Sequence, residues 1–155
     1  MPRYLISGAA GFIGSNLALT LEEQGAEVVG VDSFKTGSRA NLKGFRGKLV
    51  EADVTNDFPA QGPWDAVFHD GDITDPRYAD DAAVFEKNVG GFRNVLELAI
   101  SQKCRLIFAS TAGLYGNGSV PMKEDQPAQL LTAYGRSKKE MESLALEATE
   151  KIPVV

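Results

Sequence analysis

Short apolar runs alternate with longer segments of helical periodicity along the 155 residues of the chain. The runs, rich in Val, Ile, Leu and Phe, lie at residues 4–7, 27–31, 48–51, 66–69 and 105–109. Unbroken apolarity over four or five residues is typical of strands that are covered on both faces, as in a parallel sheet. We therefore predict five buried strands. Residues 152–155 would begin a sixth strand, and we expect the chain to be a fragment of a longer protein.

Apolar positions three and four residues apart predict three helices. The predicted stripes are Phe12, Ile13, Leu17 and Leu21; Phe85, Val89, Phe92, Leu96 and Ala99; and Tyr134, Lys138, Met141, Ala145 and Ala148. Gly25 ends the first helix. Alternating strands and helices predict right-handed βαβ units. The fold class that follows is α/β, a doubly wound parallel sheet in a three-layer αβα domain over residues 1–155.

Composition narrows the functional classes. The net charge of −5 argues against a nucleic-acid partner, which would favour a basic face. The N-terminus lacks a secretory signal and no apolar run is long enough for a bilayer, so we expect a cytoplasmic protein without a membrane partner. The single cysteine, Cys104, is interpreted as a buried apolar residue. No Cys, His or acidic cluster predicts a metal site.

A glycine-rich turn follows the first predicted strand. Gly8 permits a tight turn, Gly11 lets a pyrophosphate approach the backbone, and Gly14 lets the helix pack on the strand. The helix that begins near Phe12 and Ile13 offers free N–H groups to an anion. Asp32 ends the second strand, where a carboxylate accepts hydrogen bonds from ribose hydroxyls. These features predict a Rossmann-type site for NAD.

Two cations just past Asp32 keep NADP as an alternative to NAD, because Lys35 and Arg39 could bind the 2′-phosphate of NADP. Ligands of open α/β sheets bind outside the carboxyl ends of the strands. At the carboxyl ends of predicted strands three, four and five lie Asp53 and Val54, His69 and Gly71, and Ser110 and Thr111. We interpret His69 as packing near the cofactor.

Tyr134 and Lys138 are four residues apart on a predicted helix, so both lie on one face. A tyrosine has an ordinary pKa of about 10, and a nearby ammonium favours its phenolate. With a hydroxyl from Ser110 or Thr111 holding the same substrate oxygen, the pair could remove a proton from an alcohol while hydride leaves for the cofactor.

The ordered combination resembles the extended short-chain dehydrogenases/reductases of the NAD-dependent epimerase/dehydratase group. The resemblance rests on GAAGFIGS at residues 8–15, NVGGFRNV at 88–95, FASTAGLYG at 108–116 and YGRSK at 134–138. It implies a strand order 3-2-1-4-5-6 with the sixth strand truncated. It also implies that Tyr134 is the acid/base and that Lys138 lowers its pKa and binds the nicotinamide ribose.

The resemblance implies further roles. Thr111 would hold the reacting oxygen with Ser110 beside it, Asp53 and Val54 would frame the adenine, and Asn88 would lie near the cofactor. The substrates would be nucleotide-linked sugars, oxidised to a transient ketone and reduced again. A homodimer would form through the helices near 80–102 and 132–151.

Two features separate the possible activities. Dehydratases of the group tend to carry an acidic pair after the threonine, whereas Ala112 and Gly113 follow Thr111 here. That favours an epimerase or a reductase, and residues 32–37 and 68–71 resemble ADP-heptose 6-epimerases, with UDP-galactose 4-epimerases an equal alternative. Asp72 stands where the group usually has alanine, and its carboxylate would either repel a pyrophosphate or point away. The substrate domain would follow residue 155, and a non-catalytic NAD(P) sensor is the rival interpretation.

Overall fold

A computed structural model describes residues 1–56, 62–75 and 80–155. Five parallel strands form one sheet in the order β3-β2-β1-β4-β5. They are β1 (Arg3–Ser7), β2 (Glu27–Asp32), β3 (Lys48–Glu51), β4 (Ala66–His69) and β5 (Arg105–Phe108). The predicted α/β class and the first five positions of the predicted strand order are confirmed. Three boundaries differ by one residue: β1 begins earlier, β2 ends later and β5 ends earlier than predicted.

The residues that follow Ile152 continue the sheet beyond β5. Val154 forms a parallel bridge with Leu106. The amide of Leu106 donates to the carbonyl of Pro153 at 3.0 Å, and the amide of Phe108 donates to the carbonyl of Val155 at 3.0 Å. These bonds place the segment in the sixth position of the predicted order.

In the described part of the chain, three α-helices cover the sheet: α1 (Phe12–Glu23), α2 (Asp81–Gln102) and α3 (Ala133–Ala148). Asp80 caps α2 by accepting hydrogen bonds from the amides of Ala82 and Ala83. Thr132 caps α3 by accepting from the amide of Gly135. Such caps satisfy amides that the first turn leaves free. Helix α1 ends before Gly25, which has a φ of +86° that glycine adopts without strain.

Two apolar cores lie on opposite faces of the sheet, which gives the predicted three layers. One packs α2 and α3 on the sheet around Phe92, Leu106 and Met141. The other packs α1 on the opposite face around Ile6 and Val28.

The predicted apolar stripe of α1 is wrong at its first turn. Phe12 is 84% exposed and Ile13 is 56% exposed, and the buried residues of this helix are Gly14, Ser15 and Ala18. The reason is steric, because the first turn of α1 lies so close to the end of β1 that only small side chains fit between them.

None of the helices in the described ranges combines the length and the apolarity needed to cross a bilayer. Within the same ranges, no group of three or more His, Cys, Asp or Glu side chains is placed to hold a metal ion.

Candidate functional site

The turn between β1 and α1 has no room for a Cβ atom at Gly8, nor does the first turn of α1 at Gly14. Gly8 has a φ of +75°, and a Cβ atom there would lie 2.5 Å from the carbonyl carbon of Asp70. A Cβ atom on Gly14 would lie 2.2 Å from the carbonyl oxygen of Gly8. The amide of Gly8 is anchored to the carbonyl of Val31 on β2 at 2.8 Å. The glycine spacing read from the sequence therefore reflects three backbone segments in contact.

The N-terminus of α1 opens from this turn. Gly11 is its extended N-cap residue, and among the described residues no side chain accepts a hydrogen bond from the cap. The first amides of a helix have no acceptor within the helix and carry a partial positive charge. Phe12 and Ile13 of this turn are exposed to solvent, so no packed element covers the first turn of the helix. This arrangement suits an anion.

The turn forms one wall of a cleft of about 560 Å³, here called the glycine-turn cleft. Most of the predicted cofactor contacts lie on its walls: Gly8, Gly11, Phe12, Ile13, Gly14, Asp32, Lys35, Asp53, Val54, Gly71 and Asn88. Three other predicted contacts, His69, Tyr134 and Lys138, are not among its described lining residues.

Asp32 stands at the end of β2 and is only 8% exposed. Its Oδ2 accepts a hydrogen bond from the amide of Ala10 at 2.8 Å, and its Oδ1 accepts one from the amide of Phe34 at 2.7 Å. Both bonds come from rigid backbone, so the carboxylate is held in one orientation at the edge of the cleft. Its remaining lone pairs can accept further hydrogen bonds there.

Lys35 and Arg39, the two cations that left the choice between NAD and NADP open, are both paired with carboxylates. Nζ of Lys35 lies 2.5 Å from Oδ2 of Asp53, and Arg39 lies 2.6 Å from Glu51. Burial would raise the pKa of Asp53, but hydrogen bonds from Lys35 and Thr55 lower that pKa to about 2. The carboxylate of Asp53 is therefore ionised and bound to Lys35 at neutral pH.

Asn88 of α2 holds the loop that follows β4. Its Oδ1 accepts from the amide of Ile73 at 2.7 Å, and its Nδ2 donates to the carbonyl of Ile73 at 3.1 Å. The same Nδ2 lies 3.3 Å from Oγ of Ser137, a fully buried hydroxyl on α3. Asn88 thus ties the cleft wall to α2 and α3. Sequence reasoning missed Ser137, which sits between Tyr134 and Lys138.

His69 lies behind the cleft wall, where it is fully buried. Its Nδ1 is 2.7 Å from Oγ of Ser7, and its ring packs edge-on against Phe92 with centroids 5.6 Å apart. Its Nε2 lies 3.5 Å from Oδ1 of Asp72. His69 therefore packs in the interior, as predicted, and it is not on the surface of the cleft.

Tyr134, Lys138, Thr111 and Asp72 form a second region, here called the tyrosine–lysine corner. Tyr134 and Lys138 lie on one face of α3, as predicted, with Nζ of Lys138 5.7 Å from the centroid of the Tyr134 ring. Lys138 is 1% exposed, and its ammonium donates to the carboxylate of Asp72 and to the carbonyl of Ala109. Asp72 also lines the glycine-turn cleft, and its carboxylate is paired with this ammonium.

The pKa of Tyr134 is raised above its ordinary value, which is opposite to the direction expected from a neighbouring lysine. Burial is the largest cause, the negative charge of Asp72 adds to it, and a hydrogen bond with Thr111 opposes both. Burial would likewise raise the pKa of Asp72, but the nearby His69 and the charge and hydrogen bond of Lys138 lower it. Asp72 therefore remains ionised beside the tyrosine.

The two hydroxyls after β5 point in different directions. Oγ1 of Thr111 accepts a hydrogen bond from the amide of Gly113 and is the partner of Tyr134. Oγ of Ser110 instead donates to Glu142 at 2.6 Å, on the solvent side of α3. The structure brings Thr111 and not Ser110 into the corner.

Fold and site together define a Rossmann-type dinucleotide-binding domain: a parallel sheet, a glycine turn at a helix N-terminus, and a carboxylate at the end of β2. Residues 4–154 match the model of the NAD dependent epimerase/dehydratase family. The chain belongs to this family.

Relatives of known activity span both epimerases and other enzymes. The chain is 32% identical over 143 residues to ADP-L-glycero-D-manno-heptose-6-epimerase of Brachyspira hyodysenteriae, covering 86% of this chain and 45% of that protein. It is 35% identical over 130 residues to UDP-N-acetyl-alpha-D-glucosaminuronate decarboxylase of Bacillus cytotoxicus, covering 79% and 40%.

Among solved structures, the ADP-L-glycero-D-manno-heptose-6-epimerase of Helicobacter pylori superposes with a TM-score of 0.90 at 32% identity. That match covers 99% of this chain and 53% of the other. The chain spans about half the length of the relatives it matches.

Proposed function

We propose that this chain is the cofactor-binding half of an NAD-dependent nucleotide-sugar epimerase. The observation that carries the proposal is the glycine-turn cleft, where bare backbone at Gly8, Gly11 and Gly14 meets the N-terminus of α1. A Cβ atom on Gly11 would already lie 3.2 Å from the carbonyl oxygen of Gly8. The residues present therefore fit a pyrophosphate, which needs close approach to backbone amides.

NAD is the proposed cofactor, with NADP as the alternative. Asp32 is held at the edge of the cleft, where its carboxylate would accept hydrogen bonds from the ribose hydroxyls and repel a 2′-phosphate. Lys35 and Arg39, the cations that would attract such a phosphate, are paired with Asp53 and Glu51. The family's own description as NAD dependent supports the same choice.

The chain's residues divide the work. The amides of the first turn of α1 bind the pyrophosphate, Asp32 binds the ribose, and Asn88 keeps the loop after β4 in place. When bound, the nicotinamide supplies hydride transfer. Thr111 holds the substrate oxygen, and Tyr134 exchanges a proton with that oxygen.

Epimerisation of a nucleotide-linked sugar is the proposed reaction. Ala112 and Gly113 follow Thr111, so no acidic pair is available there to drive elimination. The heptose epimerase among the relatives supports epimerisation, and the decarboxylase keeps a different reaction of the same family as the alternative. We place the sugar pocket of the whole protein in a C-terminal domain after residue 155. We further propose that the protein is a homodimer formed through α2 and α3. Its proposed location is the cytoplasm.

A non-catalytic NAD-binding module is the second candidate. The observation that favours it is the buried pair between Asp72 and Lys138, which occupies the lysine that the family uses for its cofactor ribose. An epimerase needs that lysine available, whereas a sensor does not.

Calorimetric titration of NAD and NADP into the folded chain tests the proposal. We expect NAD to bind more tightly than NADP, and Gly11→Val to abolish binding because its side chain blocks the pyrophosphate. The matched control is Gly90→Val, since a Cβ atom at Gly90 meets nothing within 4 Å. Circular dichroism checks that both variants are folded. A folded wild-type chain that binds neither dinucleotide would overturn the proposal.

A further inference from the structure

A buried polar network runs behind the glycine-turn cleft, from β1 to α3. Ser7 contacts His69, His69 lies 3.5 Å from Asp72, and Asp72 is paired with Lys138. The side chains of His69, Asp72 and Lys138 are 0%, 4% and 1% exposed. A carboxylate this deeply buried is tolerated only where partners compensate for its lost hydration.

The position of Lys138 is decided by the two acceptors of its ammonium. An ammonium has three N–H donors. One goes to Asp72 on the loop after β4, and another goes to the carbonyl of Ala109 at the end of β5, 2.5 Å away. Both acceptors lie just past the carboxyl ends of the neighbouring strands β4 and β5, so they hold the ammonium at this edge of the sheet.

The charge around Tyr134 follows from this arrangement. The charged groups that act on it are Lys138 on its own helix, 5.7 Å from its ring centroid, and Asp72 on the loop after β4. Asp72 cancels the positive charge of Lys138 at short range, and burial raises the pKa of Asp70. The tyrosine therefore has an ion pair beside it, where a tyrosine–lysine site would need an isolated cation.

We propose that Asp72 is a positioning residue that holds Lys138 in a buried ion pair and thereby withholds its positive charge from the Tyr134 hydroxyl. What Tyr134 does with its proton rests on the proposed function; the placement of Lys138 does not. Asp72 acts through Lys138 and has no contact with the reacting atoms in this proposal.

The first test is an NMR titration of the cofactor-free chain labelled with [ζ-¹³C]tyrosine. The chain has four tyrosines, and a Tyr134→Phe variant assigns the resonance of interest. Asp72→Asn removes the charge with little change of shape, and we expect it to lower the pKa of Tyr134 by about one unit. That shift corresponds to about tenfold more phenolate at a given pH below the transition.

The matched control is Glu97→Gln, which removes one negative charge from the exposed surface of α2. It should leave the Tyr134 titration unchanged. An unchanged titration in Asp72→Asn as well would overturn the proposal. Because no cofactor is present, a failure of NAD binding in the calorimetric experiment has no effect on this readout, so the two proposals fail separately.

A second measurement covers the case in which Asp72→Asn alone does not fold. Lys138→Met leaves Asp72 buried without its cation, so it should lower the urea midpoint. Adding Asp72→Asn to that variant removes the uncompensated charge and should raise the midpoint again. A double variant with a lower midpoint than Lys138→Met would show that Asp72 does not pair with Lys138, which contradicts the proposal.

Discussion

The glycine-turn cleft and the tyrosine–lysine corner are neighbouring regions, but backbone groups form most of the first and side chains form the second. The cleft wall at the glycine turn is mostly backbone: a turn of glycine and alanine, the N-terminus of α1, and a carboxylate held by two amides. The corner is made of side chains, with Asp72 and Lys138 paired across 66 residues of sequence. A backbone site is maintained by steric fit, whereas the corner depends on a balance of buried charges.

Substituting Lys138 should have the largest effect, because it breaks that balance. Lys138→Met leaves the carboxylate of Asp72 buried without its cation, and we expect the free energy of unfolding to fall by about 3–5 kcal/mol. Lys139→Met is the control, since Lys139 is 47% exposed and its pair with Glu142 is on the surface. Urea denaturation of both variants measures the difference. Equal stability of the two would mean that the buried pair does not stabilise the corner.

Adding a methyl group to the glycine turn should have the next largest effect. Gly14→Ala places a Cβ atom against the carbonyl oxygen of Gly8, so we expect a loss of about 1–3 kcal/mol from overpacking. Gly90→Ala in α2 should instead stabilise the chain by up to about 1 kcal/mol, because alanine favours a helix and the space there is open. Thermal unfolding of the pair should therefore give shifts of opposite sign, and shifts of the same sign would contradict the steric account.

The pH dependence of the Asp53–Lys35 pair gives a smaller effect at the rim of the cleft. The pKa of Asp53 is lowered to about 2 in the folded chain, against about 3.9 in an unfolded one. A lowered pKa contributes stability above the unfolded value, and that contribution is lost as the pH falls through the folded value. The side chain of Lys35 is 60% exposed, so solvent screening limits the contribution to about 1 kcal/mol.

Asp53→Asn tests this dependence. Wild type should exceed the variant in stability at pH 6, and the difference should shrink by roughly half at pH 3, about midway between the two pKa values. Denaturation curves at both pH values measure it. A difference that stays constant between pH 6 and pH 3 would show that Asp53 does not carry the shift.

The smallest effect is expected on the solvent side of the corner. Glu142→Gln weakens contacts with Ser110 and Lys139 that lie at the surface, so stability should change by about 0.5 kcal/mol or less. The Tyr134 titration should not move. A shift in that titration would mean that Ser110 and Glu142 belong to the corner, which would blur its separation from the surface network.

The outer turn of α1 shows where pattern reading failed. Phe12 and Ile13 have the spacing of a buried stripe but lie exposed beside the cleft. Hydrophobic periodicity predicts which residues share a face, and it does not tell which part of that face the neighbouring element covers. Here the close approach of Gly14 to Gly8 moved the buried face onto small residues.

The sequence by itself determined the five strands, the helices between them and the glycine turn, because these depend on local periodicity and on the steric need for glycine. It also placed Asp32 at the end of β2 and Tyr134 and Lys138 on one helix face. Only the tertiary structure decided what each charge meets. Lys138 pairs with Asp72, His69 contacts Ser7, and Ser110 donates to Glu142. These partners are far apart in sequence, so the packing of the sheet, its loops and α3 decides which of them come together.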